Sequence, residues 1–297
     1  MNKGRWIVLG ILGIALITII SVVVYYNYVQ KIPSPPDGAI RHVFKVKEIY
    51  PTKLGGREWL INMANPTSDK IFDPQFTITK QPDGSWQIQG RQTNSKFGNE
   101  VRMNVNTLKG QEQWKNVEIT GYAKVISAAD SLSNDHLDWY ARGGKHTDDA
   151  PCDGSALKGW LSVDGIASWV KEIWFPGGYT DEKDKVQATT TNDNSILGRW
   201  IGWKVVMYNI DNNKAVKMES YLDDQDNNHW KKVTDLVDNG GWYAKGSDEE
   251  FYSAGCGRAK NYIITNAGPI ATFRSDNMVW DFSDLSVREI QPPLLAK

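Results

Sequence analysis

The stretch Ile201–Asp223, IGWKVVMYNIDNNKAVKMESYLD, decides the fold because it holds two consecutive strand patterns joined by a polar turn. Apolar residues occupy alternate positions in both halves: Ile201, Trp203, Val205 and Met207, then Val216, Met218 and Leu222. The positions between them carry Lys204, Tyr208, Lys217, Glu219 and Tyr221. Side chains of a strand point alternately to the two faces of a sheet. The pattern predicts a hairpin with one buried face and one tyrosine-bearing, charged face that suits a ligand.

The same alternation recurs along the chain. The apolar sets are Val101, Met103, Val105; Val117, Ile119, Ala123, Val125; and Leu137, Trp139, Ala141. The opposing polar sets are Arg102, Asn104; Glu118, Thr120, Tyr122, Lys124; and Asp138, Tyr140, Arg142. Turn sequences such as Pro82-Asp83-Gly84 and Asn239-Gly240-Gly241 separate the runs. This arrangement predicts an all-β antiparallel sandwich of the jelly-roll type, with short helices at Ser127–Ser133 and Ala156–Trp160.

Composition narrows the class of function. The 297 residues include 34 Lys and Arg against 35 Asp and Glu, so the net charge of −1 gives no general attraction for nucleic acid. Thirteen Trp and twelve Tyr favour strands and supply surfaces on which sugars stack. We therefore expect no nucleic-acid partner.

The amino-terminal segment predicts a membrane anchor. Trp6–Tyr26 is an uncharged run of 21 residues, close to the ~20 needed to cross a bilayer, and Lys3 and Arg5 precede it. The prediction is a cytoplasmic segment at 1–5, a transmembrane anchor at 6–28, a Pro-rich stalk at 29–42 and an extracytoplasmic domain at 43–297. The alternative is a cleaved signal peptide, whose apolar region is shorter, roughly 7 to 15 residues.

The chain contains two cysteines, Cys152 and Cys256, and both stand in turn-like sequences. Outside the cytoplasm such a pair can oxidise, so a disulfide between two loops is predicted; two free thiols are the alternative.

Three stretches carry a resemblance to a known fold family: Gly198–Asn209, Val216–Asp223 and Leu285–Ile290. They resemble the concanavalin A-like jelly roll, and within it the polysaccharide-lyase-like and glycan-binding extracellular domains. The resemblance extends roughly from Val43 to Pro292. It implies that the concave face of the longer sheet binds a polysaccharide and that a structural calcium ion stabilises the back or rim.

The catalytic motifs of that family's enzymes are missing from the sequence. The Glu-x-Asp-x-x-Glu string of laminarinase-like glycosidases is absent, as are the motifs of alginate-lyase-like members. Gln87-Ile88-Gln89 is similar to one of the latter but lacks its histidine. No catalytic residue is therefore carried over from the resemblance.

Residue chemistry supplies candidates for a lyase. Such an enzyme needs a cation to neutralise a uronate carboxylate, a base for the C5 proton and an acid for the leaving oxygen. We predict Arg142, with Arg102, for the first role, His146 for the second, and Tyr208 or Tyr221 for the third. The alternative is a structural ion pair of Arg142 with Asp138 or Glu219, and a solvated loop position for His146.

Further polar residues on the expected ligand face are candidates for sugar contacts: Arg102, Glu118, Tyr122, Tyr140, Lys204 and Glu219. Glu118 and Glu219 would also be the carboxylate pair of a glycoside hydrolase. That alternative is less favoured than a lyase, since acids on a sheet face are commonly matched by neighbouring Lys or Arg.

A calcium loop is a further hypothesis. Asp224, Asp226 and Asn228 present oxygen ligands at alternate positions, although the glycine and glutamate of the helix-loop-helix pattern are missing. The alternative is a polar hairpin connection. Asp276, Asp281 and Asp284 form a second candidate cluster, and the four histidines have no zinc-like spacing.

The sequence as a whole predicts a membrane-anchored extracytoplasmic protein that binds a polysaccharide or cell-envelope glycan on a sheet face, with polysaccharide lyase activity as the favoured chemistry. Two alternatives stay open. One is a non-catalytic glycan-binding or envelope-structural module, and the other is a protein-interaction domain at the cell surface.

Overall fold

A computed structural model describes residues 46–89, 100–129, 135–191 and 193–293. The chain divides into two units, Met1–Arg41 and His42–Lys297, and all described residues belong to the second. The predicted anchor at 6–28 and stalk at 29–42 lie outside the described residues. Within the described part, no helix is long and apolar enough to cross a membrane.

The described residues form two antiparallel sheets. The eight-stranded sheet contains β1 (Glu58–Leu60), β3 (Ile78–Lys80), β4 (Trp86–Gln89), β6 (Val117–Ala128), β11 (Trp200–Ile210), β12 (Ala215–Asp223), β13 (Lys231–Asp238) and β15 (Met278–Glu289). The seven-stranded sheet contains β2 (Phe72–Pro74), β5 (Glu100–Asn106), β7 (His136–Gly143), β8 (Ala156–Ser162), β9 (Ile166–Glu172), β10 (Lys183–Gln187) and β14 (Ile270–Asp276).

Strand order mixes distant parts of the chain. The eight-stranded sheet runs β13-β12-β11-β6-β15-β4-β3, with β1 paired to β15, and the seven-stranded sheet runs β10-β9-β8-β7-β14-β5-β2. Short 3-10 helices lie at Pro66–Ser68, Pro151–Asp153 and Asp211–Asn213, and the α-helix α1 spans Asp248–Tyr252. Its cap is Ser247, whose side chain accepts from the Glu250 amide.

The two sheets pack face to face through the apolar sides of their strands. The predicted hairpin forms as β11 and β12, with Trp203 opposite Leu222, and its apolar residues join the buried core. The seven-stranded sheet contributes Trp139, Trp169 and Phe273 to the same core. The predicted antiparallel β-sandwich is therefore confirmed.

Glycine permits close packing in the core at two points, between the layers at Gly159 and between neighbouring strands of one sheet at Gly121. A Cβ on Gly159 of β8 would overlap Val205 of β11, and a Cβ on Gly121 of β6 would overlap Leu285. Both positions face the core, where interiors are packed to crystal-like density and leave no room for an added atom.

The helix predicted at Ala156–Trp160 is wrong, because these residues lie in β8, hydrogen-bonded to β7 on one side and β9 on the other. Pairing with two neighbours outweighs local propensity in a segment this short. In the helix predicted at Ser127–Ser133, Ser127 lies at the end of β6, and residues 130–134 are outside the described residues.

Arg142 does not face outward as the alternation predicts. The register between β14 and β7 shifts between Ile270 and Ala271, and Arg142 has a φ of 81°. This bulge turns the side chain inward. Its Nη1 donates to the side-chain oxygen of Asn209 and, at 2.8 Å, to the carbonyl of Ile264. Arg142 is fully buried, no acidic side chain of the described ranges pairs with it, and burial lowers its pKa to about 9.

The predicted disulfide is confirmed. Cys152 and Cys256 are joined with an S–S distance of 2.02 Å across a sequence separation of 104 residues. The bond ties the 3-10 helix Pro151–Asp153 to the loop that follows α1.

Polar bonds also cross the core between the sheets. Lys171 of β9 places its Nζ 2.8 Å from Oδ2 of Asp238 in β13 and 2.9 Å from the carbonyl of Tyr262. Both side chains of the Lys171–Asp238 pair are fully buried. Two residues before Lys171 on the same strand, Trp169 donates to Thr234 over 2.8 Å. These bonds fix the alignment of β9 against β13.

We predict that Lys171→Met lowers the free energy of unfolding by about 3 kcal/mol or more, because it leaves Asp238 as an uncompensated buried charge. Chemical denaturation measures the change. The matched control is Lys245→Met, which breaks a solvent-exposed pair with Asp181 and should cost under about 1 kcal/mol. Equal losses in the two variants would contradict a stabilising role for the buried pair.

Candidate functional site on the seven-stranded sheet

The outer face of the seven-stranded sheet carries a dense group of charges. Cross-strand pairing places Arg102, Arg274, Asp138 and Trp160 in one row, and Asn104, Thr272, Tyr140 and Lys158 in the next. The term charged face is used here for Glu100, Arg102, Asp138, Tyr140, His146, Lys158, Glu172, Tyr179, Arg274 and Asp276. Neighbouring strands lie about 4.8 Å apart, so residues in one row are within reach of each other.

Lys158 lies at the centre of the charged face. Its Nζ is 2.7 Å from Oε2 of Glu172, 2.8 Å from the hydroxyl of Tyr179 and 3.7 Å from Oδ2 of Asp138. It also lies 4.9 Å from the ring centroids of Tyr140 and of Tyr179. Burial opposes the charge, but Glu172 and its neighbours hold the pKa of Lys158 well above its usual range. Lys158 is therefore a fixed positive charge between two tyrosines.

His146 packs onto this face from the loop after β7. Its Nε2 is 2.8 Å from Oε2 of Glu172, and its ring meets those of Tyr140 at 5.1 Å and Phe175 at 5.4 Å. The side chain is only 2% exposed, so the alternative of a solvated loop residue is wrong. Burial lowers the pKa of His146, which favours a neutral imidazole at neutral pH.

Glu172 links the histidine to the lysine. Burial acts against its charge, but Lys158 and then His146 stabilise the carboxylate and lower its pKa to about 2. An ionised Glu172 can only accept a hydrogen bond, so the proton of the neutral His146 ring lies on Nε2. Nδ1 is then the ring nitrogen that carries a lone pair. This geometry suits a histidine that takes up a proton.

The two arginines differ in accessibility. Arg274 is 6% exposed and bonds Glu100 at 2.6 Å and Asp276 at 2.8 Å. Arg102 pairs with Glu100, and its side chain keeps 20% of its surface exposed. Burial opposes the charge of Arg102, but Tyr140 and Glu100 raise its pKa. Arg102 is thus the cation of this face that solvent reaches most readily.

Phenols, and not carboxylic acids, are the proton donors available here. The pKa of Asp276 is lowered, because Arg274 outweighs the opposing effect of burial, and that of Glu172 is lowered to about 2. Burial raises the pKa of Tyr179 to about 12, so its hydroxyl stays protonated at neutral pH. The ammonium of Lys158 donates to the oxygen of that hydroxyl and would stabilise a phenolate.

The outer face of the eight-stranded sheet is covered by the chain itself. The backbone amide of Ile49 donates to Glu118 at 3.1 Å, and the hydroxyl of Tyr50 donates to Glu219 at 2.7 Å. Below this segment Lys204 is fully buried and lies 2.5 Å from Glu118. The polar face predicted at Ile201–Asp223 exists, and residues 47–53 occupy it.

The predicted site residues therefore separate into three groups. Arg102, Tyr140 and His146 come together on the charged face. The opposite outer face holds Glu118, Tyr122, Lys204, Tyr208, Glu219 and Tyr221. Burial raises the pKa of both Tyr208 and Tyr221, and Tyr122 donates to Asp223 at 3.1 Å. Arg142 lies between the sheets and bonds neither Asp138 nor Glu219.

The carboxylates proposed for a hydrolase are each matched by cations. Glu118 lies 2.9 Å from Arg288 in addition to Lys204, and Glu219 lies 2.6 Å from Lys232. Both therefore take part in the contacts that close this face.

The proposed calcium loop forms the connection between β12 and β13. Asp224 bonds Arg199 at 2.6 Å, and the side-chain oxygen of Asn228 accepts from the amide of Lys47 and the indole of Trp230. The side-chain oxygens of Asp224 and Asn228 are thus engaged by protein donors. Across the described ranges, no group of three or more acidic, histidine or cysteine side chains is placed to hold a metal ion.

The second calcium candidate is divided between the sheets. Asp276 lies at the end of β14 and bonds Arg274, whereas Asp281 and Asp284 belong to β15, where Asp281 accepts from Gln87 at 2.9 Å. The three carboxylates do not form one cluster.

Sequence analysis missed Lys158, Glu172 and Tyr179. Lys158 lies in the stretch predicted as a helix. Glu172 ends a strand, and Tyr179 follows in the turn after it, so nothing in the local pattern distinguishes either from a surface residue. The alternation in β9, with Ala167 and Trp169 inward, was the available signal for the outward position of Glu172.

Comparison with known proteins gives structural likeness alone. No family model and no curated protein matches the chain. An alginate lyase structure has 10% identity, covers 84% of this chain and 96% of its own, and gives a TM-score of 0.42. Arcelin-5, a lectin-like defence protein from Phaseolus vulgaris, has 8% identity, coverage of 80% and 99%, and a TM-score of 0.40.

The exoplasmic/lumenal domain of VIP36, in a Ca2+/Man-bound form, has 11% identity, coverage of 80% and 91%, and a TM-score of 0.45. At these TM-scores, the role of each residue depends on the contacts within this chain.

We predict that Glu172→Gln lowers the free energy of unfolding at neutral pH and that the difference from the wild type becomes smaller in acid. The pKa of Glu172 is about 2 in the folded protein against an ordinary value of 4.5. Its stabilising effect is thus complete above pH 4.5 and is lost as the pH falls towards 2. Urea unfolding at a series of pH values measures this. The exposed Glu112→Gln is the control, and a deficit for Glu172→Gln that does not change with pH would contradict the prediction.

Proposed function

We propose that the charged face binds an anionic polysaccharide that contains uronate residues and that the protein acts on it as a polysaccharide lyase. The observation that supports this most directly is the convergence of Arg102, Tyr140 and His146 on one sheet face around Lys158 and Tyr179. Convergent polar groups with shifted pKa values are the usual mark of a site.

Arg102 suits the neutralisation of the substrate carboxylate. It is the most exposed cation of the charged face, and a guanidinium N–H forms a strong, charge-assisted hydrogen bond to a carboxylate. Neutralising that group makes the C5 proton more acidic, which is the first requirement of the reaction.

His146 suits the role of base. It is neutral at neutral pH because burial lowers its pKa, and Glu172 fixes its tautomer and orientation. Nδ1 would take the C5 proton, and the electron pair of that C–H bond would form the C4–C5 double bond as the C4–O bond breaks.

A tyrosine suits the role of acid. The departing oxygen takes the electron pair of the C4–O bond and a proton from Tyr140 or Tyr179. Lys158 lies against both rings and bonds the Tyr179 oxygen, so it would stabilise the phenolate that results. The step needs no oxidant or added water.

A hydrolase is less well supported on this face. A glycosidase requires a carboxylic acid with a raised pKa, and the carboxyl groups of Glu172 and Asp276 have lowered ones.

A non-catalytic glycan-binding module is the second candidate, and the charge balance favours it. The charged face has three cations, Arg102, Lys158 and Arg274, against four carboxylates, Glu100, Asp138, Glu172 and Asp276, and they pair with one another. A face that is internally neutralised can bind sugar hydroxyls without a net attraction for polyanions.

We also propose that the protein is held in a membrane by residues 6–28, with the sandwich on the extracytoplasmic side. The run of uncharged residues and the preceding Lys3 and Arg5 support this orientation. The Cys152–Cys256 disulfide supports an oxidising compartment for the folded domain.

The lyase proposal predicts that His146→Gln, and at least one of Tyr140→Phe and Tyr179→Phe, reduce turnover of a uronate polymer such as alginate by about 100-fold or more, because each of these changes removes a proton-transfer group. The measurement is the ultraviolet absorbance of the unsaturated product formed by the full-length chain in detergent.

The matched control is Tyr208→Phe, which removes a hydroxyl from the opposite sheet and should leave turnover unchanged. Loss of turnover in Tyr208→Phe alone would indicate that the catalytic residues lie on the outer face of the eight-stranded sheet. Binding of the polymer without product, in the wild type, would favour the glycan-binding module.

The anchor proposal predicts that the full-length chain sediments with membranes and stays there after alkaline extraction, whereas a chain without residues 6–28 is recovered in the soluble fraction. Protease added to the extracytoplasmic side of sealed cells should digest the sandwich. Release of the intact chain by alkaline extraction would contradict the anchor.

A further inference from the structure

Trp160 differs from the tryptophans of the sandwich core. Trp139, Trp169, Trp203 and Trp280 are fully buried between the sheets, whereas Trp160 points away from the core and is only partly buried. Large aromatic side chains on an outer sheet face lose the stabilisation of core packing, so a partly exposed tryptophan there is a candidate for ligand contact.

The indole plane of Trp160 is fixed by His136. The two ring centroids are 4.0 Å apart with an interplanar angle of 31°, and His136 is itself 6% exposed. Because the imidazole packs against one face of the indole, a ligand would have to contact the other face or the edge of the ring. A rigid aromatic surface binds at low conformational cost, and its apolar face complements the C–H face of a sugar ring.

The position of Trp160 relates it to the charged face. It follows Lys158 by two residues on β8, which places the two Cα atoms about 6.8 Å apart on the same face of the strand. In register it lies opposite Asp138 of β7 and Ser168 of β9. A glycan lying along β8 would therefore run from the loop of His146, above the buried side chains of Lys158 and Tyr140, to Trp160.

We propose that Trp160 is a sugar-stacking subsite for a polysaccharide bound along β8, one row from the residues assigned to proton transfer. This proposal rests on the function proposed above and adds the direction of the bound chain. The subsite holds a sugar adjacent to the reacting one, above the buried Arg274–Asp138 pair. The ligand class is an oligosaccharide or polymer, not a single sugar.

The test is the binding of purified long alginate oligosaccharides to the full-length chain in detergent, measured by titration calorimetry. Trp160→Ala should bind about tenfold more weakly, the loss typical of a tryptophan removed from a contact centre. Trp160→Leu keeps an apolar side chain but has no ring, so it should bind as weakly as Trp160→Ala. Trp160→Phe should keep most of the affinity of the wild type. Thermal unfolding confirms that each variant is folded.

The matched control is Trp230→Ala, since Trp230 is a partly exposed tryptophan of the opposite face that packs on Tyr122 and Lys204. Its affinity should equal that of the wild type. Undiminished binding by Trp160→Ala and Trp160→Leu would overturn the subsite and leave the proposed function standing. A wild type that binds no alginate oligosaccharide would overturn both proposals, and weaker binding in Trp230→Ala alone would place the glycan on the other sheet.

Discussion

The packing of two antiparallel sheets through alternate apolar side chains is the constraint on which the rest of this structure depends. Once Trp203, Trp139 and their neighbours fill the space between the layers, the intervening residues must face outward. Lys158 and Glu172 thus meet on one outer face although they lie on different strands. The core separates the charged side chains of the two outer faces, so those of each face form ion pairs and hydrogen bonds among themselves.

Sequence periodicity could predict the faces but not the sheets. The period of two correctly separates Val205 from Lys204 and Trp139 from Tyr140, because a strand has only two sides. It contains no information on strand order, so it assigns Tyr208 and His146 to one ligand face. In the structure they lie on opposite sides of the sandwich. A single bulge at Arg142 reverses the direction of one side chain, and the residues around Arg142 show no sequence pattern from which the bulge could be predicted.

The candidate site was harder to predict than the fold for a physical reason. His146 becomes a credible base only through Glu172, 26 residues away, and Tyr179 becomes a credible acid only through Lys158. Such pairs are defined by contacts across strands and not by spacing along the chain. The disulfide was an exception, because the sequence contains two cysteines, Cys152 and Cys256, and each can form an intramolecular disulfide with the other alone.

The covalent bond between Cys152 and Cys256 has a consequence for recognition. It secures the turn at Pro151–Asp153, whose Asp153 carbonyl bonds the Gly144 amide and so closes the loop that carries His146. A loop fastened at its base has already given up its conformational freedom during folding. A ligand that bound beside this loop would therefore meet a rim that is already shaped, and little of the binding free energy would be spent on ordering the protein.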